Sequence, residues 1–138
     1  MHTFGYYISP GVQLDAFHKH LINLGQSDKS QKYFKVSLRD TKLRLLMFLL
    51  EHAGEKLITN QKIMTNVWEH YGLRASSARL WQVMQDLKST LISVGVDFDA
   101  LITKVDSRGY SVNGSMVIAL YCKKNHLDSV WGELEHAC

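Results

Sequence analysis

At 138 residues, 46% hydrophobic and 21% charged, the chain has the length and composition of one globular domain with a real core. A net charge of +3 and a pI near 8.9 permit an anionic partner without demanding one. The apolar runs LRLLMFLL, broken by Arg44, and MVIALYC fall well short of the roughly 20 residues that a membrane span needs.

The chain opens MHTFGYYISP, which lacks the basic start and continuous apolar stretch of a secretory leader, so a cytoplasmic chain with no membrane contact is expected. A longer protein carrying this chain on a membrane tether would read the same way. FGYYI (4–8), VQLDA (12–16), HLINL (20–24) and YFKVSL (33–38) then alternate with SPG, FHK and GQSDKSQ. Short strands so closely punctuated predict an antiparallel meander, with Pro10 in its first turn.

From Asp40 the pattern changes to a helical period. Leu43, Leu46, Met47 and Leu50 fall on one stripe, thickened by Leu45, Phe48 and Leu49. Asp40 or Ser37 is the expected cap, and Ala53-Gly54 the stop. LIT (57–59) reads as one short strand. Thr59 or Asn60 then caps a second helix through QKIMTNVWEHY, with Ile63, Met64, Val67 and Trp68 on its buried face and Gly72 ending it.

A third helix is predicted over 77–93. Leu80, Met84, Leu87, Leu91 and Val94 form a narrow seam. Projection at about 100° per residue puts Arg79, Gln82, Gln85, Asp86 and Ser89 on the opposite face, with Trp81 and Lys88 on one flank. GVDFDA reads as a loop. TKVDSRGYSV (103–112) then reads as a hairpin, with Gly109 supplying a left-handed position at its tip and Tyr110 anchoring its base. Arg108 at that tip is open to three readings: a solvated turn residue, a salt-bridge partner, or a finger toward a negative ligand.

SMVIALYC (115–122) reads as a further strand, and Leu127, Val130, Trp131 and Leu134 as a short amphipathic helix. That helix either packs back on its own domain or serves as a dimerisation or docking element, with Leu127 and Trp131 as contacts. Cys122 and Cys138 form no zinc or redox spacing and are expected as two reduced thiols.

The order is meander, helix, short strand, two helices, hairpin, which is the winged-helix plan. SLRDTKLRLLMFLLEHAGEKLITNQKIMTNVWEHYGL resembles the OmpR-type winged helix found on response regulators. Leu38, Lys42, Leu45, Leu46, Gly54, Leu57–Thr59, Val67 and Trp68 stand where that family has its helix start, leucine run, closing glycine, strand and Val-Trp ending. SSARLWQVMQDLKSTL is similar to the recognition helix and LITKVDSRGYSV to the wing. WEHYGLRASSARLWQVMQDL has the flavour of the ToxR/CadC-like branch of enteric bacteria, and the likeness runs over residues 4–112.

The resemblance implies an α+β winged helix-turn-helix: an N-terminal antiparallel β-meander, a three-helix core and a C-terminal β-hairpin wing. It implies a domain over 1–114, with 115–138 as the appended strand and helix. It also implies a bacterial transcription regulator with double-stranded promoter DNA as partner and no cofactor. Helix 77–93 then enters the major groove, where Arg79 suits guanine and Gln82 and Gln85 suit adenine. Lys88 falls near phosphate, with Arg74 just before the helix. Ser76 and Ser77 at the helix start offer hydroxyls and free N–H groups to a phosphate. Lys104 and Arg108 belong to the wing over 101–112, and Arg108 precedes the Gly-Tyr pair where the family reaches the minor groove.

The departures from the family pattern are specific. Asp86 stands where a base is common, Thr90 replaces the second base of the Leu-Arg-x-Lys-Leu ending, and the wing carries Asp106. Over 74–110, Arg74, Arg79, Lys88, Lys104 and Arg108 oppose Asp86, Asp97, Asp99 and Asp106, leaving +1. Weak binding by a lone domain follows, so a homodimer on tandem sites or a partner regulator is expected, with RNA polymerase a further partner. The competing reading is a degenerate winged helix that serves as a protein-interaction module, with Trp81 in the contact. Neither Ser–His–Asp set, Gly-rich phosphate loop nor paired carboxylates point to an enzyme. The seven histidines include His18 and His20 but no third ligand at a recognised metal spacing.

Overall fold

The structure, a computed structural model, describes residues 2–25 and 34–122. Tyr33, Leu127, Val130, Trp131, Leu134 and Cys138 lie outside the described residues, and so does the expected helix in the tail.

The meander forms as predicted. Strands β1 (His2–Ile8), β2 (Val12–Asp15), β3 (His20–Asn23) and β4 (Lys35–Ser37) pair antiparallel in sequence order. Alternation decides which face is dry: Tyr6, Ile8, Val12, Leu14 and Leu21 are buried, while Gln13, Asp15 and Ile22 face outward. The strand expected after the wing is also present, as β8 (Val117–Cys122). It leaves the wing and pairs antiparallel with β1, Ile8↔Val117 through Gly5↔Leu120, so the sheet order is β4-β3-β2-β1-β8.

Helix α1 (Asp40–Glu51) packs its leucines onto this sheet; Leu45, Leu46 and Leu49 are fully buried. Neither Asp40 nor Ser37 caps it. Arg39 holds the cap position without a side-chain bond, and Asp40 lies one residue inside, its carboxylate 2.7 Å from Lys19 Nζ. That ammonium holds the Asp40 carboxyl below the usual range. The pairing competes for the same oxygen atoms that a cap would use, and a negative charge at N1 still suits the helix dipole.

Strand β5 (Ile58–Thr59) leads into α2 (Asn60–Val67), where the Thr59 hydroxyl accepts from Lys62 N–H at 3.2 Å. A 3-10 turn (Glu69–Tyr71) follows and Gly72, at φ 72°, ends it. Helix α3 (Ser77–Ser93) has the predicted bounds and the predicted seam, with Leu80, Met84, Leu87 and Leu91 buried. GVDFDA is not wholly a loop: Phe98–Leu101 forms a single turn, α4, because Asp97 caps Ala100 N–H and Phe98 and Leu101 are buried. Strands β6 (Ile102–Val105) and β7 (Gly109–Val112) complete a second, three-stranded sheet of order β5-β7-β6. Trp68, Leu80, Tyr110 and Val112 join the leucines of α1 in one continuous core.

Burial gives the first sheet an alkaline limit. Desolvation, with the Glu51 carboxylate adding to it, pushes the Tyr6 phenol from 10.0 up to about 12. A raised folded-state value means that the stability held below pH 10 is lost as pH climbs toward 12, where the folded phenol must ionise in an apolar site. Tyr6→Phe keeps the ring and removes the proton, so thermal midpoints measured across that window are expected to fall less steeply than in the parent. Equal slopes would clear Tyr6 of the effect.

Candidate nucleic-acid interface

Helix α3 has the exposed face expected from its helical period. Arg79, Gln82, Gln85, Asp86 and Ser89 are all exposed, opposite the buried seam. At 100° per residue Asp86 projects between Arg79 and Gln82, so the carboxylate sits inside the face and not at its margin. Ser76 is the cap: its Oγ accepts from Arg79 N–H at 3.1 Å. Its lone pair is therefore engaged, while its hydroxyl proton and the exposed Ser77 remain available to an anion.

The cations divide into two groups. Lys88 Nζ lies 3.7 Å from Asp99 Oδ1 and 5.6 Å from the Phe98 ring centroid, so its charge is already partly answered within the chain. Lys42 Nζ donates to Thr90 Oγ1, and Arg44 Nε to the Val67 carbonyl with its guanidinium 4.3 Å from the Tyr71 ring centroid. Among the described residues, the side chains of Arg74, Arg79, Lys104 and Arg108 have no ion pair or hydrogen bond, and all four are exposed. Asp97 and Asp99 serve α4 and Lys88, leaving Asp86 and Asp106 as the unpaired carboxylates of this region.

The wing is built differently from the expectation at one point. Gly109 does not adopt a left-handed conformation; Asp106 does, at φ 52°. Aspartate is among the few residues other than glycine that enter that region at modest cost. Gly109 is required for another reason. A Cβ there would lie 2.0 Å from the Ile58 carbonyl oxygen, because β7 runs against β5 with Ile58 opposite Tyr110 and Thr59 opposite Gly109. Tyr110 is buried as expected, which raises its phenol by desolvation.

Sequence reasoning treated Asn60 only as a helix cap. In the structure it holds the wing tip: its N–H donates to the Arg108 carbonyl and its Nδ2 to the Ser107 carbonyl, both at 3.0 Å. Arg108 is thus anchored through its backbone while its guanidinium is exposed. No local pattern marks this role, since the two partners lie 47 and 48 positions away. Trp81 on the flank of α3 is 55% exposed, with Tyr71 and Leu73 exposed in the preceding turn, so it does not pack into the core.

A helix, a turn and a second helix closed by a hairpin on one core define a winged helix. The fold is that of OmpR/PhoB-type winged-helix DNA-binding domains. The DNA-binding domain of Escherichia coli CadC superposes with a TM-score of 0.66 at 19% identity, over 87% of this chain and 100% of that one. The Klebsiella pneumoniae RstA DNA-binding domain, in complex with the RstA box, gives 0.54 at 15% identity over 75% and 92%. The response regulator DrrB of Thermotoga maritima, an OmpR/PhoB homolog, gives 0.58 at 20% identity over 80% and 45%. Among curated proteins, the uncharacterized protein YqeI of Escherichia coli strain K12 is 27% identical over 111 residues, 80% of this chain. The chain spans 39% of that relative's length. No family model matches. No helix among the described residues is long and apolar enough to cross a membrane.

Proposed function

We propose that the chain is the DNA-binding part of a bacterial transcription regulator that engages double-stranded promoter DNA. Helix α3 lies in the major groove and the wing follows the minor groove, with no catalytic step. The observation that carries this reading is the set of four unpaired, exposed cations, Arg74, Arg79, Lys104 and Arg108, on α3, its lead-in and the wing. The RstA relative of this fold is a DNA complex, which supports the same partner here. Gln82 and Gln85 supply paired donor and acceptor groups for adenine, and Asp86 suits the amino group of cytosine. Residues 1–114 carry the DNA-binding helix and wing, and β8 from the 115–138 stretch completes their first sheet. Binding as a homodimer, or beside a partner regulator or RNA polymerase, compensates for a thin positive charge.

Fluorescence anisotropy with random-sequence duplex at two salt concentrations tests this. Four neutralised phosphates imply a log–log salt slope of roughly −3.6, or about a hundredfold loss of affinity between ~50 and ~200 mM salt. Absence of binding at the lower concentration overturns the proposal. It would favour the second reading, a protein-interaction module, which rests on the exposed Trp81 of α3 and on Tyr71 and Leu73, exposed in the turn before it.

A further inference from the structure

The five-stranded sheet has two edges, and they are built oppositely. Strand β4 is three residues long and carries Lys35, two devices that discourage further pairing. Strand β8 is six residues long, VIALYC, without a charge or a proline. The irregularity in its ladder falls between Thr3 and Gly5 of β1, so Val117–Leu120 run in unbroken register with Ile8–Gly5. The N–H of Ser9 donates to the Met116 carbonyl at 2.8 Å, which sets the phase of the alternation. Ile118 and Leu120 bond inward to β1, and the N–H and C=O groups of Val117 and Ala119 point away from the sheet. Among the described residues nothing hydrogen-bonds to them. Ile118 and Tyr121 are 57% and 58% exposed along this edge.

From these features we infer that β8 is a self-association edge: two copies of the chain join β8 to β8, antiparallel about a two-fold axis, into one continuous sheet of ten strands. Each copy offers the same outward donors and acceptors, which is the condition for an isologous contact. An uncharged strand sets no like charges opposite one another when it meets itself. The direction follows from the symmetry: a two-fold axis perpendicular to the sheet relates two identical edge strands in the antiparallel sense, along a ladder about 20 Å long. The second copy is preferred over a foreign peptide because that sequence is its own uncharged complement. Helix α3 and the wing belong to other elements and stay free in such a dimer. The inference stands on the sheet edge and needs no nucleic acid.

Sedimentation velocity on the full chain without DNA tests it. The parent is expected to move toward a dimer as concentration rises through the micromolar range. Ala119→Pro removes an outward N–H and no bond to β1, and Ile118→Lys places a charge on the exposed side of the edge. Both are expected to sediment as monomers with the parent's circular dichroism. Because proline at 119 also meets core neighbours, Ile118→Lys carries the result if that variant loses its fold. A parent that stays monomeric at high micromolar concentration overturns the inference. So does a dimer that Ile118→Lys leaves intact, which would place the contact elsewhere, the 123–138 segment included.

Discussion

Gly109→Ala is expected to lower the unfolding free energy by about 3 kcal/mol or more, far above the usual effect of one added methyl group. The new Cβ would sit 2.0 Å from the Ile58 carbonyl oxygen and 2.9 Å from the Ile58 carbonyl carbon and Thr59 Cα. These are backbone atoms, so no rotamer change relieves the overlap. Strands β5 and β7 must part, which breaks the Ile58↔Tyr110 and Thr59↔Gly109 pairing and pulls the tip from Asn60. Against a total of roughly 5–15 kcal/mol for a domain, that is a large share. Denaturant titration followed by fluorescence measures it. A midpoint within error of the parent's would mean that β5 and β7 do not approach this closely in solution.

Arg108→Ala is expected to weaken duplex binding about tenfold and to make the salt slope shallower by about 1, with no change in the unfolding midpoint. Among the described residues the guanidinium is exposed and makes no hydrogen bond or ion pair, so its removal is expected to leave the fold intact. Asn60→Ala offers the contrasting variant. It keeps every charge but loses the bond from Nδ2 to the Ser107 carbonyl, so it is expected to reduce affinity by about threefold with the slope unchanged. Arg79→Ala should resemble Arg108→Ala in slope and also relax preference at one base position. Anisotropy across a salt series separates the three. If Arg108→Ala binds as the parent does, the wing contributes no phosphate or groove contact.

How far the sequence spoke depended on the range of the interaction. The α3 seam at Leu80, Met84, Leu87 and Leu91, and the outward set from Arg79 to Ser89, follow from a helical period within seventeen residues. The hairpin and its buried Tyr110 follow from alternation and turn chemistry, equally local. What escaped was tertiary. The pairing of β8 with β1 joins the two ends of the described chain, and an apolar strand carries no label naming its neighbour. The same holds for Asn60 on the wing tip and Asp99 beside Lys88. Gly109 was singled out correctly for the wrong cause, because a glycine forced by a crowding neighbour and one forced by a positive φ look alike in one dimension. In the site, residue types and exposure were legible, and the engagement of Lys88 was not.

Asn23 ties the two halves of the core together. It is a buried polar residue on β3, and its Nδ2 donates to the Val94 carbonyl at the end of α3, 2.9 Å away. A hydrogen bond in a dry setting resists stretching because neither group finds water in exchange. The bond therefore works as a rivet between the N-terminal sheet and the C-terminal end of α3. The N-terminal sheet and the C-terminal end of α3 are therefore tied by a directional polar contact as well as by apolar packing, which fixes their relative setting more sharply than packing alone.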